Sequence, residues 1–188
     1  MNRRRIAFTL LLALLSLPVT GVAETTPDAD RLAEQLRAHA PTCGHFSQHR
    51  WMADLDTGLD STGIFRRQGE ALIWQTLTPV SDRVRLAPDN PDLPLGLKAM
   101  LPVLTGLLAG DWQAVDQHFR LRLEGQQDAW QARLTPRDAA VAERLTGLRV
   151  AGGERVERVR LDFRSGDHLE LTLEPVNCDT LDTEATAS

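Results

Sequence analysis

The amino-acid sequence predicts a mainly β protein with a few helices: an incomplete, curved antiparallel β-barrel, or half-barrel, covering an apolar cavity closed by helices. Most of the chain after residue 43 alternates apolar and polar side chains with a period of two, as half-buried strands do. Short turn signals separate these runs, which predicts one antiparallel meander because parallel strands would need long crossovers. Residues 92–110 form one long apolar segment. Eight or nine strands can form a sandwich or one curved sheet, and a single apolar helix favours the curved sheet.

The first 23 residues have the pattern of a cleavable signal peptide. Three arginines precede an apolar run over residues 6–17, and Gly21-Val22-Ala23 forms a small-residue exit. The run is short for a membrane span, and Pro18 follows it. We expect export to the periplasm with cleavage after Ala23, and no lipid anchor because no cysteine directly follows the apolar run.

The remaining 165 residues fit one domain with a sizeable core. We place this domain at residues 24–178, expect it to be a monomer, and expect a disordered tail over 179–188. Loss of the three leader arginines moves the formal net charge from −5 to −8. Nucleic acid is excluded as a partner by this charge, because phosphate binding needs a basic surface.

The mature chain has two cysteines, Cys43 near its start and Cys178 near its end. In an oxidising compartment such a pair predicts one disulfide. The alternative is two free thiols.

Helices are expected at two main places. Thr26 and Pro27 fit an N-cap and first helical position, and apolar residues then recur on one face up to Ala38. Residues 92–110 are apolar almost all round, with Lys98 and Thr105 as the strongly polar exceptions. Such a helix must be buried, so we expect it against or inside the sheet.

The strands follow from alternation and turn residues. Candidates lie at 44–53, 61–67, 71–77, 82–87, 119–123, 130–134, 148–150, 159–163 and 169–173, with a short helix from about residue 135 to 142.

One candidate metal site consists of Cys43, His45, His49 and Met52. On a strand rising ~3.3 Å per residue, the two histidines share a face but lie about 13 Å apart, too far to bind one ion together. We therefore interpret them as surface histidines and expect no metal site and no cofactor.

Enzymatic motifs are not found in the sequence. It contains no G-x-S-x-G and no H-E-x-x-H pattern. Asp54, Asp56 and Asp60 surround a predicted turn, where aspartate is common for backbone reasons. We expect no catalytic residues.

Three motifs follow one another in the first strands. They are Phe46-Ser47-Gln48, the run from Ser61 to Phe65, and the run from Leu72 to Pro79 that contains Trp74. In this order and spacing they resemble the F-x-Q, G-x-hydrophobic and hydrophobic-x-W motifs of the periplasmic outer-membrane lipoprotein carrier family, LolA. The order of elements is similar to that family from about residue 28 to 175.

The resemblance implies a curved sheet whose concave side is closed by helices and binds the acyl chains of a lipoprotein. It also implies a releasing complex in the inner membrane and an acceptor at the outer membrane. We therefore expect a carrier that shuttles a lipoprotein or lipid-linked product between the two membranes. The expected lipid-binding residues are Phe46, Phe65, Trp74, Leu97, Met100, Leu101, Leu104, Leu108 and Phe119.

The chain departs from the family pattern at one functional position. Six residues before its tryptophan the carrier has an arginine that engages the helical lid, whereas this chain has Gln68, preceded by Arg66 and Arg67. Two other functions stay open. One is an envelope-assembly or protein-interaction module whose cavity is only core, and the other is a small envelope enzyme acting on a lipid or polysaccharide.

Overall fold

The computed structural model describes residues 26–69, 71–93, 101, 105–106 and 111–187. The predicted signal peptide lies outside the described residues.

Nine strands form a single antiparallel sheet that is open and curved. The predicted fold class is therefore confirmed. The strands are β1 (Cys43–Met52), β2 (Thr57–Gln68), β3 (Ala71–Thr78), β4 (Asp82–Leu86), β5 (Phe119–Gln126), β6 (Ala129–Pro136), β7 (Leu145–Gly152), β8 (Val156–Phe163) and β9 (His168–Val176).

The strand order differs from the single meander that the sequence predicts. In space the order is β4-β3-β2-β1-β9-β8-β7-β6-β5, so the first strand pairs with the last. Two meanders, β1 to β4 and β5 to β9, meet at the β1–β9 pair, and residues 87–118 connect the two outer strands. Local turn signals predict each hairpin but carry no information on the pairing of distant strands.

Helix α1 (Ala29–Ala38) precedes the sheet. Its N-cap is Asp28 and not the predicted Thr26, because the Asp28 carboxylate accepts a hydrogen bond from the Arg31 N–H at 2.8 Å. Leu32 and Leu36 are fully buried on its inner face.

Two short helices flank the β5–β6 hairpin. Helix α2 (Trp112–His118) leads directly into β5 and was not predicted from the sequence. Helix α3 (Ala139–Ala142) begins later than predicted, because β6 continues to Pro136 and Asp138 caps the helix by accepting a hydrogen bond from the Ala140 N–H.

The predicted tail disorder after residue 179 is wrong. Helix α4 covers Cys178–Ala187. Leu181 is 2 % exposed, and Asp182 accepts a hydrogen bond from the Arg66 guanidinium of β2 at 2.5 Å. Composition suggested disorder because this segment is polar, but one buried leucine and one ion pair hold it against the sheet.

A disulfide joins Cys43 to Cys178, as predicted. It links the first residue of β1 to the first residue of α4. The C-terminal helix is therefore covalently attached to the centre of the sheet.

Only part of the predicted helix over residues 92–110 is described. Leu101 is helical and 2 % exposed, in agreement with burial of this segment against the sheet. Thr105 and Gly106 are also helical, and the Thr105 hydroxyl donates to the Leu101 carbonyl.

The convex face carries an ionic network around Asp162. Arg160 donates to its carboxylate at 2.8 Å and Arg149 at 3.1 Å, while Arg160 also contacts Glu170. Partial burial opposes ionisation of Asp162, but the hydrogen bond from Arg160 and the charges of both arginines outweigh it and hold the pKa of Asp162 below its ordinary value.

The stability that this carboxylate contributes should depend on pH. A depressed pKa contributes stability that is fully present above pH 3.8 and is lost as the pH falls through the lower pKa of the folded state. We expect Asp162→Asn to lower the free energy of unfolding at neutral pH by about 1 kcal/mol, and by less at pH values well below 3.8. Urea unfolding of both proteins at each pH measures this, and an equal difference at both pH values would contradict it.

Candidate functional site

One face of the sheet carries apolar side chains on all nine strands. Directly paired residues of antiparallel strands lie on the same face, so the register identifies the members of this face. Leu171, for example, pairs with Val159 on β8, which pairs with Val150 on β7. The apolar members are Phe119, Leu121, Leu123, Trp130, Ala132, Leu134, Leu148, Val150, Val159, Leu161, Leu169, Leu171, Leu173, Phe46, Phe65, Leu72, Trp74, Val84 and Leu86.

Helix α1 lies at one end of this concave face. The Gln35 side chain donates to the Gly153 carbonyl oxygen in the β7–β8 turn at 2.8 Å, and the Trp130 indole N–H donates to the same oxygen at 2.8 Å. Leu32 and Leu36 join the hydrophobic core formed by the inward strand residues. This end of the face is therefore filled by the protein itself.

Aromatic rings cover the concave side of β1 to β3. Phe46 stacks on Trp74 with ring centroids 3.9 Å apart, and Phe65 lies 6.3 Å from Trp74. Gly63 makes room for this cluster. A β-carbon at that position would lie 2.5 Å from the Phe46 ring and 2.1 Å from the Gln75 carbonyl oxygen, so a side chain there would displace the ring or the backbone.

The described residues among those predicted to bind lipid fall into two groups. Phe46, Phe65, Leu101 and Phe119 are at most 3 % exposed and belong to the core, whereas Trp74 is half-buried. Leu97, Met100, Leu104 and Leu108 lie outside the described residues. Lipid contact by any of these residues stays a prediction.

The concave face also has apolar side chains that solvent can reach, and the sequence did not single these out as a site. They are Val84, Leu121, Leu123, Phe163, Leu169 and Leu171, all partly buried against the core. Leu59 of β2 continues this surface with 44 % exposure. Strand alternation alone could have found most of them, because they are the inward half of the pattern, but the prediction favoured aromatic residues and the apolar helix.

A polar strip crosses this surface on β1 and β2. Gln48 pairs in register with Leu171 on one side and Ser61 on the other, and its side-chain amide lies 3.4 Å from the Ser61 hydroxyl. Ser61 is only 7 % exposed. Arg50 follows on the same face between Leu59 and Leu169. The accessible concave surface is therefore amphipathic.

The histidines do not form a metal centre. His45 and His49 lie on the convex face, where His49 Nδ1 is 2.6 Å from the Asp60 carboxylate. Cys43 is bound in the disulfide. Within the described ranges, no group of three or more His, Cys, Asp or Glu side chains has a geometry that could hold a metal ion.

Comparison with known proteins finds one similar family. A model of the family described as outer membrane lipoprotein carrier protein LolA-like matches residues 86–164. The chain is similar to this family over those residues, which supports a divergent LolA-like member. The matched part runs from the end of β4 to the turn after β8, whereas the motifs over residues 46–79 lie on β1 to β3. Two different parts of the chain thus indicate the same LolA-like family.

The solved structures similar to this LolA-like protein are distant. A LolA superfamily protein from Nitrosomonas europaea is 12% identical, with a TM-score of 0.36 over 84% of this chain and 97% of that one. A putative outer membrane lipoprotein-sorting protein domain from Vibrio parahaemolyticus is 9% identical, with a TM-score of 0.33 over 84% and 99%. A DUF1329 family protein from Desulfovibrio piger is 9% identical, with a TM-score of 0.30 over 78% and 90%. No curated protein matches the sequence.

The LolA-like fold is a carrier or binding fold. Among the helices that the structure describes, none has the length and apolar character needed to cross a bilayer.

Proposed function

We propose that this protein is a periplasmic carrier that binds the acyl chains of a lipoprotein or lipid-linked product and shuttles them between the inner and outer membranes. The observation that carries the proposal is the concave face, whose apolar residues on β5, β8 and β9 remain partly accessible. The export pattern of residues 1–23 and the LolA-like match over residues 86–164 support it. Catalysis has no part in this function.

A carrier of this kind lowers the free-energy cost of moving acyl chains through water. Each CH₂ group removed from water contributes ~0.8 kcal/mol, so one long acyl chain in water costs on the order of 10 kcal/mol. Unaided transfer of a lipid with two or three chains between membranes is therefore very slow. An apolar face that accepts these chains lowers that cost.

The amphipathic surface can orient such a ligand. Acyl chains would lie along Leu169, Leu171 and Phe163, where apolar area is still accessible. The polar strip of Gln48 and Ser61 offers hydrogen-bonding groups to ester or amide oxygens next to those chains.

The partners are proposed by family resemblance: an inner-membrane complex that releases the cargo and an outer-membrane acceptor. We expect the carrier to act as a monomer. The lid contact must differ from that of the family, because Gln68 is exposed and Arg66 instead pairs with Asp182 of α4 on the convex side.

Replacement of one accessible concave leucine should weaken lipid binding. We expect Leu171→Glu to lower the affinity for a fluorescent fatty acid about tenfold, because a carboxylate there removes apolar contact and repels the fatty-acid carboxylate. The matched control is Thr172→Glu, which places the same charge one residue away on the exposed convex face. Fluorescence titration measures both affinities, and thermal unfolding verifies that both variants fold.

Equal binding by the two variants would contradict the proposal. Native mass spectrometry of the protein purified from membrane-containing extract provides a second test, with bound lipid as the expected result. If the protein neither binds the fluorescent fatty acid nor co-purifies with lipid, the results would favour a protein-interaction module whose concave face is only core.

A further inference from the structure

Four arginines form a continuous row on the convex face. Arg122 of β5 pairs in register with Arg133 of β6, Arg133 with Arg149 of β7, and Arg149 with Arg160 of β8. With neighbouring strands ~4.8 Å apart, the row is about 14 Å long. Four cationic side chains thus stand side by side across four adjacent strands.

The row is accessible to solvent. The exposed fraction of the side chain is 79% for Arg122, 53% for Arg149 and 32% for Arg160. Arg133 is also exposed. Arg120 and Arg158 lie on the same face and are exposed, which widens the basic surface on both sides of the row.

The positive charge of the row is only partly neutralised. Arg149 and Arg160 share the carboxylate of Asp162, and Arg160 also pairs with Glu170. Arg122 lies 3.3 Å from Glu124 on its own strand. Among the described residues, Arg133 has no ion pair. Like charges directly opposite each other destabilise a sheet, so the row lowers the stability of the fold. Features that violate a local folding rule concentrate at functional sites.

The two halves of the convex face differ in what covers them. Helix α4 lies over β2 to β4, where Leu181 and Asp182 border a groove together with Ile64 and Ile73. Three exposed apolar side chains, Leu55, Leu77 and Val80, also lie in the part of the chain from β1 to β4. The arginine row occupies the other half, away from these apolar residues.

We propose that the arginine row docks this protein on the phosphate-bearing surface of an anionic lipid bilayer. Guanidinium groups bind phosphate oxygens in bidentate geometry, and repeated cations at strand spacing suit a surface of repeated phosphates. A specific acidic protein partner would be expected to require aromatic or aliphatic anchors in the contact, and the residues paired in the row provide none. The formal net charge, which is −5 for the full sequence and −8 without the three leader arginines, would otherwise repel the protein from such a membrane.

This docking goes beyond the carrier function and does not require bound cargo. The convex face meets the bilayer, and the concave face stays free of it. The protein would thereby be held near the membrane with its acyl-binding side still accessible.

Vesicle co-sedimentation of the cargo-free protein tests the proposal. We expect binding to mixed phosphatidylcholine–phosphatidylglycerol vesicles, little binding to phosphatidylcholine alone, and loss of binding as salt is raised. The double variant Arg122→Gln/Arg133→Gln should bind about tenfold more weakly or worse, because each arginine near an anionic surface adds to the affinity. The matched control is Arg31→Gln/Arg37→Gln, which removes the same charge from the exposed surface of α1.

The row variant should also be at least as stable as the unmodified protein, because repulsion within the sheet is removed. Equal vesicle binding by the row and control variants would overturn the proposal. Equal binding to neutral and anionic vesicles would also overturn it. The same holds if the arginine row binds an acidic protein and the protein does not bind vesicles at all. Fatty-acid affinity should be unchanged in the row variant, so failure of docking and failure of the carrier function are distinguishable.

Discussion

Trp130→Ala is expected to lower the free energy of unfolding by about 3–5 kcal/mol, the range for removing a large buried aromatic side chain. Trp130 is 1 % exposed on β6 and belongs to the main hydrophobic cluster. Its indole N–H donates to the Gly153 carbonyl oxygen, which also accepts the hydrogen bond from Gln35 of α1. The substitution therefore leaves a cavity at the point where α1, β6 and the β7–β8 turn meet.

Trp130→Phe separates packing from hydrogen bonding. Phenylalanine retains much of the buried aromatic volume but cannot donate to Gly153, whose carbonyl oxygen still has the Gln35 amide as a partner. We expect a loss of about 1–2 kcal/mol, well below that of the alanine variant. Urea unfolding followed by circular dichroism measures both changes. A loss below about 1 kcal/mol for the alanine variant would show that this junction does not stabilise the fold.

Cys43→Ser/Cys178→Ser is expected to cost about 4–5 kcal/mol of stability. The two cysteines are 135 residues apart in sequence, and in the chain-entropy model a loop of this size strongly restricts the unfolded chain. The disulfide also attaches α4 to β1, and the other contacts of its described side chains are the buried Leu181 and the Arg66–Asp182 ion pair. We therefore also expect faster proteolysis of the C-terminal segment in the double variant.

Reduction of the unmodified protein provides the control. Adding a thiol reductant should lower its stability to that of the double serine variant and should leave the variant unchanged. Denaturant unfolding with and without reductant, together with limited proteolysis read by mass spectrometry, measures both effects. Equal stability of the oxidised protein and the serine variant would contradict the expected role of this crosslink.

The parts of the fold that the sequence predicts well are local. Alternation placed the strands near Phe46, Phe65 and Trp74 to within a few residues, because side chains on a half-buried strand must alternate. The adjacency of β1 and β9 was missed, since a pair formed by residues more than a hundred positions apart leaves no local signal. Helix α4 was missed because the contacts of its described side chains, the buried Leu181 and the disulfide, leave no periodic apolar pattern in the sequence.

The sequence predicted an apolar concave face but identified only some of its accessible residues. Large aromatic residues are the most conspicuous apolar side chains in a sequence, but Phe46, Phe65 and Phe119 are fully buried in the folded protein. The accessible apolar surface comes from ordinary strand residues such as Leu169 and Leu171. Exposure on a curved sheet depends on which part the helices cover, and this cannot be derived from alternation.

The pairing of the first and last strands also affects the order of folding. The two sets of hairpins can form from neighbouring residues. The central β1–β9 pair can form only after residues 168–176 have been synthesised. While the polypeptide is delivered from its amino end, one edge of β1 has no partner and is open to misplaced pairing with other chains. Such long-range closure is slow, so the β1 edge stays unpaired until the last strand arrives.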